Sequence, residues 1–485
     1  MTTVARRTFL QGSLATAVVG FDPGQESWSS VPGGANLIPI PPLDGQLLMN
    51  PAVLAAAAED FGRIIQRTPS AVLVPGSVRD IVKLVLFARA HGIKVAAARG
   101  LGESHSTAGQ AQVAAGVVID MSMLATIHEI NAGDALVDAG VRWIDLLEET
   151  LPLGKSPPLL TDFIELSVGG TLAVGGIGGQ AFRHGLLVDN VLELQVVTGN
   201  GALLTCSPTQ NPVLWNAVRA GLGQFGIIVR ARVRLASVKP RVRVYTATYT
   251  DLATLTADQE MLIDDGRFDY VEGFASADES GGWIYRLEAA SYHDPGNPPA
   301  DTIKLAGLQF DPGTSEATEQ SFFDFANRIA PTVTLLKELG VWQLPHPWLN
   351  LFLPGPQAAS FIQGVLDTIT VDDTGQGPIV FYPFKRARLT APFARVPATP
   401  NVFIFSILRN AIPGTPENVA ALIDQNRQFY EDARAIGGKR YPIDSVPMSR
   451  GDWEEQFRPL FSQFSLAKLL FDPLNVLAPG QKIFT

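Results

Sequence analysis

Apolar and polar positions settle into a regular order from Thr68 onward. T-P-S-A-V-L-V-P, residues 68–75, is a short apolar run closed by Pro75, which predicts a strand. Apolar residues then fall at Val78, Ile81, Val82, Val85 and Leu86, the three- and four-residue spacing of a helix with one buried face. Ser77 stands at the start of that helix as a cap, with Asp80 three residues on in a near relative of the capping box, and Gly92 closes it. Ile93–Ala98, Val117–Met121 and Ala135–Gly140 read as strands, and Val141–Thr150 as a helix. Val191–Cys206 reads as a hairpin with Asn200-Gly201 at its turn. A helix from Leu214, a glycine loop around Gly221–Gly226 and a strand through Leu235 follow. From about Lys239, strands such as Tyr245–Tyr249 and helices such as Phe322–Ala330 alternate with proline-rich loops. The expected organisation is a signal and tether over 1–42, a first domain over 43–238 with its core from about 68, a second domain over 239–440, and a returning segment over 441–485. The end of that segment, Phe471–Phe484, carries two prolines and a glycine in an extended pattern suited to packing on a surface.

Two glycine-rich runs interrupt this order. Between Ala96 and Asp120, Arg99, Gly100, Gly102, Ser104, His105, Ser106 and Gly109 sit between apolar runs, just after a strand end, where open α/β sheets place ligands. Glycines let backbone N–H groups approach an anion and the hydroxyls add donors, so the loop suits a phosphate. His105 is open to two readings, a cofactor contact or a hydrogen-bonded turn histidine. In the second run, Ser167–His184, glycines come in pairs, which fit neither helix nor strand. Ile177, Phe182 and the strand that follows set it apart from a low-complexity linker, which leaves a backbone pressed against a flat or bulky ligand.

Composition narrows the function. The 485 residues are 46% hydrophobic and 17% charged, with a net charge of −10, a globular chain without the basic face that a nucleic-acid binder needs. The basic groups at Arg230–Arg234 and Lys239–Arg243 alternate with apolar residues, as in strands with one solvated face. A single cysteine, Cys206, excludes an internal disulfide, and six scattered histidines with no HExxH or CxxC pattern argue against a protein-held metal. At the amino terminus, Arg6–Arg7 followed by Phe9–Leu10 and Ala15-Thr-Ala17 resembles a bacterial twin-arginine signal, so the chain is expected to be exported. No later stretch reaches the roughly 18 uninterrupted apolar residues of a membrane span, and no stable membrane insertion is expected. Phe21–Pro42 is expected to be a tether that becomes an arm of the fold.

Nine motifs occur in a fixed order: A-R-G with H-S-T-A-G-Q-A at 98–111, T-D-F at 161–163, V-G-G-T-L with G-Q-A-F-R-H-G at 168–185, E-L-Q-V-V-T-G at 193–199, G-L-G-Q-F-G-I-I at 221–228, F-D-Y-V-E-G at 268–273, H-P-W-L-N-L-F at 346–352, G-P-I-V-F-Y-P at 377–383, and the Phe471–Phe484 tail. Together they resemble the vanillyl-alcohol oxidase and p-cresol methylhydroxylase (PCMH-type) flavoprotein superfamily, and within it the cytokinin dehydrogenases. The resemblance implies an α+β fold of two domains, a PCMH-type FAD-binding domain and a separate α+β substrate (cap) domain. It implies that FAD is bound covalently through His105, with Gly100, Gly102, Ser104, Ser106 and Gln110 at the pyrophosphate and ribityl chain. Thr161, Asp162, Gly170, Thr171, Gly175, Gly178 and Ile228 would line the cofactor, with Tyr441 and Gln481 reaching it from the returning segment. Asp162 would be the acid/base and Glu272 the contact to an N6-substituted adenine, the small-molecule substrate, with oxygen or a quinone as electron acceptor. Hydride transfer to the flavin would leave an imine that hydrolyses to adenine and an aldehyde. An alcohol, sugar or lactone oxidase of the same superfamily is the alternative, and a non-catalytic flavin- or ligand-binding protein a lesser one. Two departures stand out: Glu103 and Ser104 separate Gly102 from His105 where the family has G-x-G-H-S, and Leu160 stands where plant members carry tryptophan.

Overall fold

The computed structural model describes residues 17–32, 36–278 and 281–484. The twin arginine at Arg6–Arg7 lies outside the described residues. The first sheet has the strand order Gln46–Leu48, Ala71–Val74, Val117–Asp120, Val95–Ala98; the last three run parallel and the first is antiparallel. Helix Val78–His91 packs on it through Ile81, Val85 and Ala88, all fully buried, and ends on Gly92 in the left-handed conformation. Its start differs from the expected capping box. Ser77 makes no cap hydrogen bond, and the fully buried Asp80 carboxylate accepts from the N–H groups of Asp44, Gly45 and Gly76. Three backbone donors satisfy a buried carboxylate better than one cap would, so Asp80 clasps the incoming first strand to the helix start.

A five-stranded antiparallel sheet follows, in the order Leu203–Cys206, Val191–Thr198, Gly226–Arg234, Asp134–Asp138, Ile127–Ile130. The expected hairpin is its first pair. Arg230 pairs with Asp138, and Arg232 with Asp134 and Glu129, which is the solvated face that the alternation predicted. The chain from residue 241 to 440 supplies every strand of an eight-stranded sheet, with Arg241–Tyr249, Trp283–His293, Tyr270–Ala277 and Ile379–Lys385 adjacent in that order. The structure is thus α+β with two sheet-based domains, as the resemblance implied. Among the described residues no helix is long and apolar enough to cross a membrane.

Both ends of the described chain pack back onto the first domain. Phe21 and Trp28 bury their rings beside Phe87, and Trp28 Nε1 donates to Ser70 Oγ at 2.9 Å. The returning segment adds a strand-like bridge at the sheet edge, where Val95 donates to Val476 O and accepts from Ala478 N. Asp472, fully buried, holds this turn by accepting from Val476 N, Leu477 N and Lys468 Nζ, the last at 2.8 Å. Further on, Gly480 lies so close to the glycine-serine loop that a Cβ there would stand 2.3 Å from Gly109 O and 2.6 Å from Gln110 O.

Asp472→Ala leaves the Lys468 ammonium buried without its counter-ion. It is expected to lower stability by about 3–5 kcal/mol, read as a fall in the urea midpoint; an unchanged midpoint would show that the tail contributes little.

Candidate active site

The loop after strand Val95–Ala98 is built from its ties. Gly100 N donates to Asp120 Oδ1, while Phe61 N and Gly62 N donate to Ser104 O and Ser106 O. Ser106 Oγ and Gly109 N both donate to Asp60 Oδ2 at 2.7 Å. The Gln110 amide accepts from Thr107 N and Ala108 N and donates to Asp444 O. Arg67 Nη1 donates to Gly109 O and Gly480 O, closing the loop against the tail. Burial lifts the Asp60 carboxyl to about 6, against the pull of its Ser106 and Gly109 hydrogen bonds. Gly100, Ser106 and Gln110 therefore use these groups to shape the loop. The backbone N–H groups of Gly102, Ser104, His105 and Ser106 donate to no acceptor among the described residues, which leaves a row of donors of the kind that holds a phosphate. Glu103 is exposed.

His105 lies in an aromatic stack. Its ring is 4.1 Å from Phe61 at an interplanar angle of 20°, and Phe61 in turn is 4.0 Å from His346 at 4°. Trp348 approaches His105 edge-on at 5.3 Å and Phe163 at 5.0 Å. Burial, reinforced by the neighbouring His346, pushes His105 down to about 3, and burial pushes His346 down to about 4. Both imidazoles are neutral at physiological pH.

The second glycine run begins in helix Val168–Val174, where Ser167 Oγ accepts from Gly170 N. Thr171 Oγ1 donates to Ser167 O and accepts from Trp143 Nε1. Gly170 is exposed, and a Cβ there would meet only Ser167 Oγ, so its backbone faces open space. Gly175 has φ 126°, and Gly176 N donates to the hydroxyl of buried Tyr441. A Cβ on Gly178 would stand 2.1 Å from Leu160 O, and one on Gly179 would stand 2.4 Å from the Tyr270 ring. Val271 N donates to Gly179 O at 3.1 Å, stitching this segment to the second domain. Ile228 is buried in strand Gly226–Arg234 opposite Val196, and Gln481 is buried beside Gly480.

That stitch brings the acidic residues together. Thr161 Oγ1 donates to Phe163 O and shapes the turn that displays Asp162, whose side chain is 33% exposed. Asp162 Oδ1 accepts from Arg328 Nη2 at 2.7 Å and from the Tyr270 hydroxyl at 3.3 Å. Glu272, on strand Tyr270–Ala277, is 1% exposed, and neither carboxyl oxygen has a hydrogen-bond partner among the described residues. Burial raises the Glu272 carboxyl well above the usual range; Asp162 adds to this and Arg328 opposes it. Burial therefore favours the protonated form of this acid over what an exposed carboxylate would hold. Asp162 and Glu272 thus share one cluster, joined to His105 through Phe163.

Asp60, Phe61, Tyr270, Arg328 and His346 had no role assigned from their local patterns. Arg328 carried one signal, a lone cation in the apolar run F-A-N-R-I-A. The unused amides, the open backbone at Gly170 and the buried Tyr441 and Gln481 suit a large, flat cofactor bearing phosphates. FAD fits this donor set.

Comparison with known proteins agrees. Residues 69–207 match the family model for an FAD binding domain, and residues 275–484 the model described as cytokinin dehydrogenase 1, FAD and cytokinin binding. The chain is 40% identical to an uncharacterized oxidoreductase, ORF5 in the fasciation locus of Rhodococcoides fascians, over 89% of this chain and 97% of that protein. It is 37% identical to cytokinin dehydrogenase 2 of Arabidopsis thaliana, over 90% and 93% of the two chains, and 37% identical to cytokinin dehydrogenase 5 of Oryza sativa subsp. japonica, over 91% of each.

Because folding holds His346 neutral while the unfolded chain protonates it, the unfolded state binds more protons between pH ~6.5 and ~4. Stability falls as pH drops through that window. His346→Gln is expected to flatten the fall by up to about 1.4 kcal/mol per pH unit, measured by urea unfolding of both proteins at several pH values. Equal slopes would place the proton uptake elsewhere.

Proposed function

The chain belongs to the cytokinin dehydrogenase family, and from that premise we propose that it oxidises the C–N bond of N6-alkenyl adenines, releasing adenine and an aldehyde. It is an FAD-dependent oxidoreductase acting on a CH–NH bond. The observation that carries the substrate reading is the pairing of a reachable carboxylate, Asp162, with a buried, unpartnered acid, Glu272. A secondary amine attached to a purine needs both: an acceptor for its N–H and a group able to meet a ring nitrogen.

Bound FAD supplies the hydride acceptor. The unused amides of Gly102, Ser104, His105 and Ser106 and the Ser104 hydroxyl would hold its pyrophosphate, and Gly170, Thr171, Gly175, Gly178 and Ile228 would line it. Tyr441 and Gln481 would close it from the returning segment. His105, neutral, offers a nitrogen lone pair for a covalent link, with the Phe61 stack fixing its ring. Asp162 takes the proton from the substrate's amine, and its pairing with Arg328 keeps the carboxylate directed at the cleft. Glu272, carrying its own proton, donates to a purine nitrogen and orients the ring. The Trp342, Trp348 and Phe163 rings near His105 exclude water around the reacting bond. Hydrolysis of the imine product then consumes one water.

Under anaerobic conditions, isopentenyladenine is expected to bleach the visible flavin band, and Asp162→Asn to slow that bleaching at least ~100-fold with FAD retained. Bleaching by sugar alcohols but by no N6-alkenyl adenine would reassign the enzyme as an alcohol or sugar oxidase. Covalent attachment has its own check. Acid-precipitated protein should stay yellow and His105→Ala should release the colour; flavin lost from the wild type would refute the link.

A further inference from the structure

Among the described residues, Arg328 is the one cation in direct contact with the acid cluster. It lies beyond helix Phe322–Ala326, whose start is fixed by Ser321 Oγ accepting from Asp324 N. Its guanidinium is held between the rings of Tyr270, at 4.8 Å, and Phe325, at 4.9 Å, and its side chain is 17% exposed. All three nitrogens of the fork are in use, Nη1 donating to Phe325 O at 3.3 Å. Nε donates to Glu288 Oε1 at 3.1 Å, while Nη2 meets Asp162 Oδ1 at 2.7 Å and the Tyr270 hydroxyl. Glu272 Oε2 is 3.8 Å from Nη2. Three carboxylates therefore surround one guanidinium, on elements from both domains: Asp162 on the turn after Leu160, and Glu272 and Glu288 on the paired strands Tyr270–Ala277 and Trp283–His293.

Of the three, only Asp162 belongs to the first domain, and nothing on its own turn fixes its carboxylate: the Thr161 hydroxyl is committed to Phe163 O. Its two hydrogen-bond donors, Arg328 and Tyr270, both come from the second domain. The orientation of Asp162 is thus set across the domain junction, by a guanidinium itself braced by Glu288. Resting on the reading of Asp162 as proton acceptor, we propose that Arg328 is the positioning residue that fixes this carboxylate for the reaction, with Glu288 as its strut. A planar fork can meet two carboxylates along different edges at once, and a lysine ammonium offers a point charge that cannot.

The test uses FAD-loaded enzyme with isopentenyladenine and a dye acceptor. Arg328→Ala is expected to lower kcat about 100-fold while KM and FAD content stay within about threefold of the wild type. Millimolar guanidinium chloride should then restore at least about tenfold of the loss, where equal sodium chloride restores none; a purely structural role would not respond to a free guanidinium ion. Arg328→Lys should stay slow with or without guanidinium, because the ammonium occupies the place. A kcat within threefold of the wild type in Arg328→Ala, or a loss that guanidinium leaves untouched in a variant that keeps its FAD, would overturn the proposal. If Arg328→Ala does not retain FAD, Glu288→Gln decides: a kcat loss of about tenfold at constant KM supports the strut, and an unchanged kcat overturns it. A wild type inactive on every N6-alkenyl adenine is a different result. It removes the substrate reading, and the same variants are then compared on whichever substrate bleaches the flavin.

Discussion

The site depends on one close approach of backbone, at Gly178 and Gly179. Leu160 O presses on one of these residues and the Tyr270 ring on the other, at distances that leave no room for a Cβ. Through Leu160 the contact sets the turn that displays Asp162; through Tyr270 and the Val271–Gly179 hydrogen bond it sets the strand that carries Glu272. A side chain at Gly179 would wedge the domains apart at Tyr270, and one at Gly178 would push away the turn that displays Asp162. Interiors this tightly packed transmit such a shift instead of absorbing it.

The electrostatics follow from the same closeness. Three acidic side chains gather round one guanidinium, and burial raises the cost of ionising Glu272. The structure answers in two ways. Arg328 compensates the charge of the more exposed Asp162 carboxylate, and burial favours the protonated form of Glu272, whose nearest cation, the same Arg328, stands 3.8 Å away. The same economy holds around His105, where burial leaves two imidazoles neutral and stacked on a phenyl ring.

Much of the framework was legible because it is local. The helix from Val78 to His91, its glycine stop, the hairpin at Asn200-Gly201 and the solvated arginine faces all follow from spacings within one element. The open backbone at Gly170 and the unused amides of Gly102, Ser104, His105 and Ser106 lie where glycine and hydroxyl clusters stand in the sequence. Partnerships between distant residues were not. Asp80 looked like a helix cap because its partners Asp44 and Gly45 lie some 36 residues upstream. Phe61 and His346 stack face to face with nothing in either local pattern to announce it. Arg328 looked like part of a helix, although the helix ends at Ala326 and leaves the guanidinium to turn inward. Ser106 and Gln110 were read from the resemblance as cofactor contacts, and their side chains are committed to Asp60, Thr107, Ala108 and Asp444.

The clasp formed by Arg67 on Gly109 O and Gly480 O joins residues 413 positions apart. A ribosome adds roughly 5–20 residues per second, so tens of seconds separate the synthesis of the loop from the arrival of the segment that shuts it. During that interval the nascent first domain has its sheet-forming sequence but an open-sided cradle. Closure of the loop in its final form therefore waits until residue 480 has been made, long after the strands of the first domain.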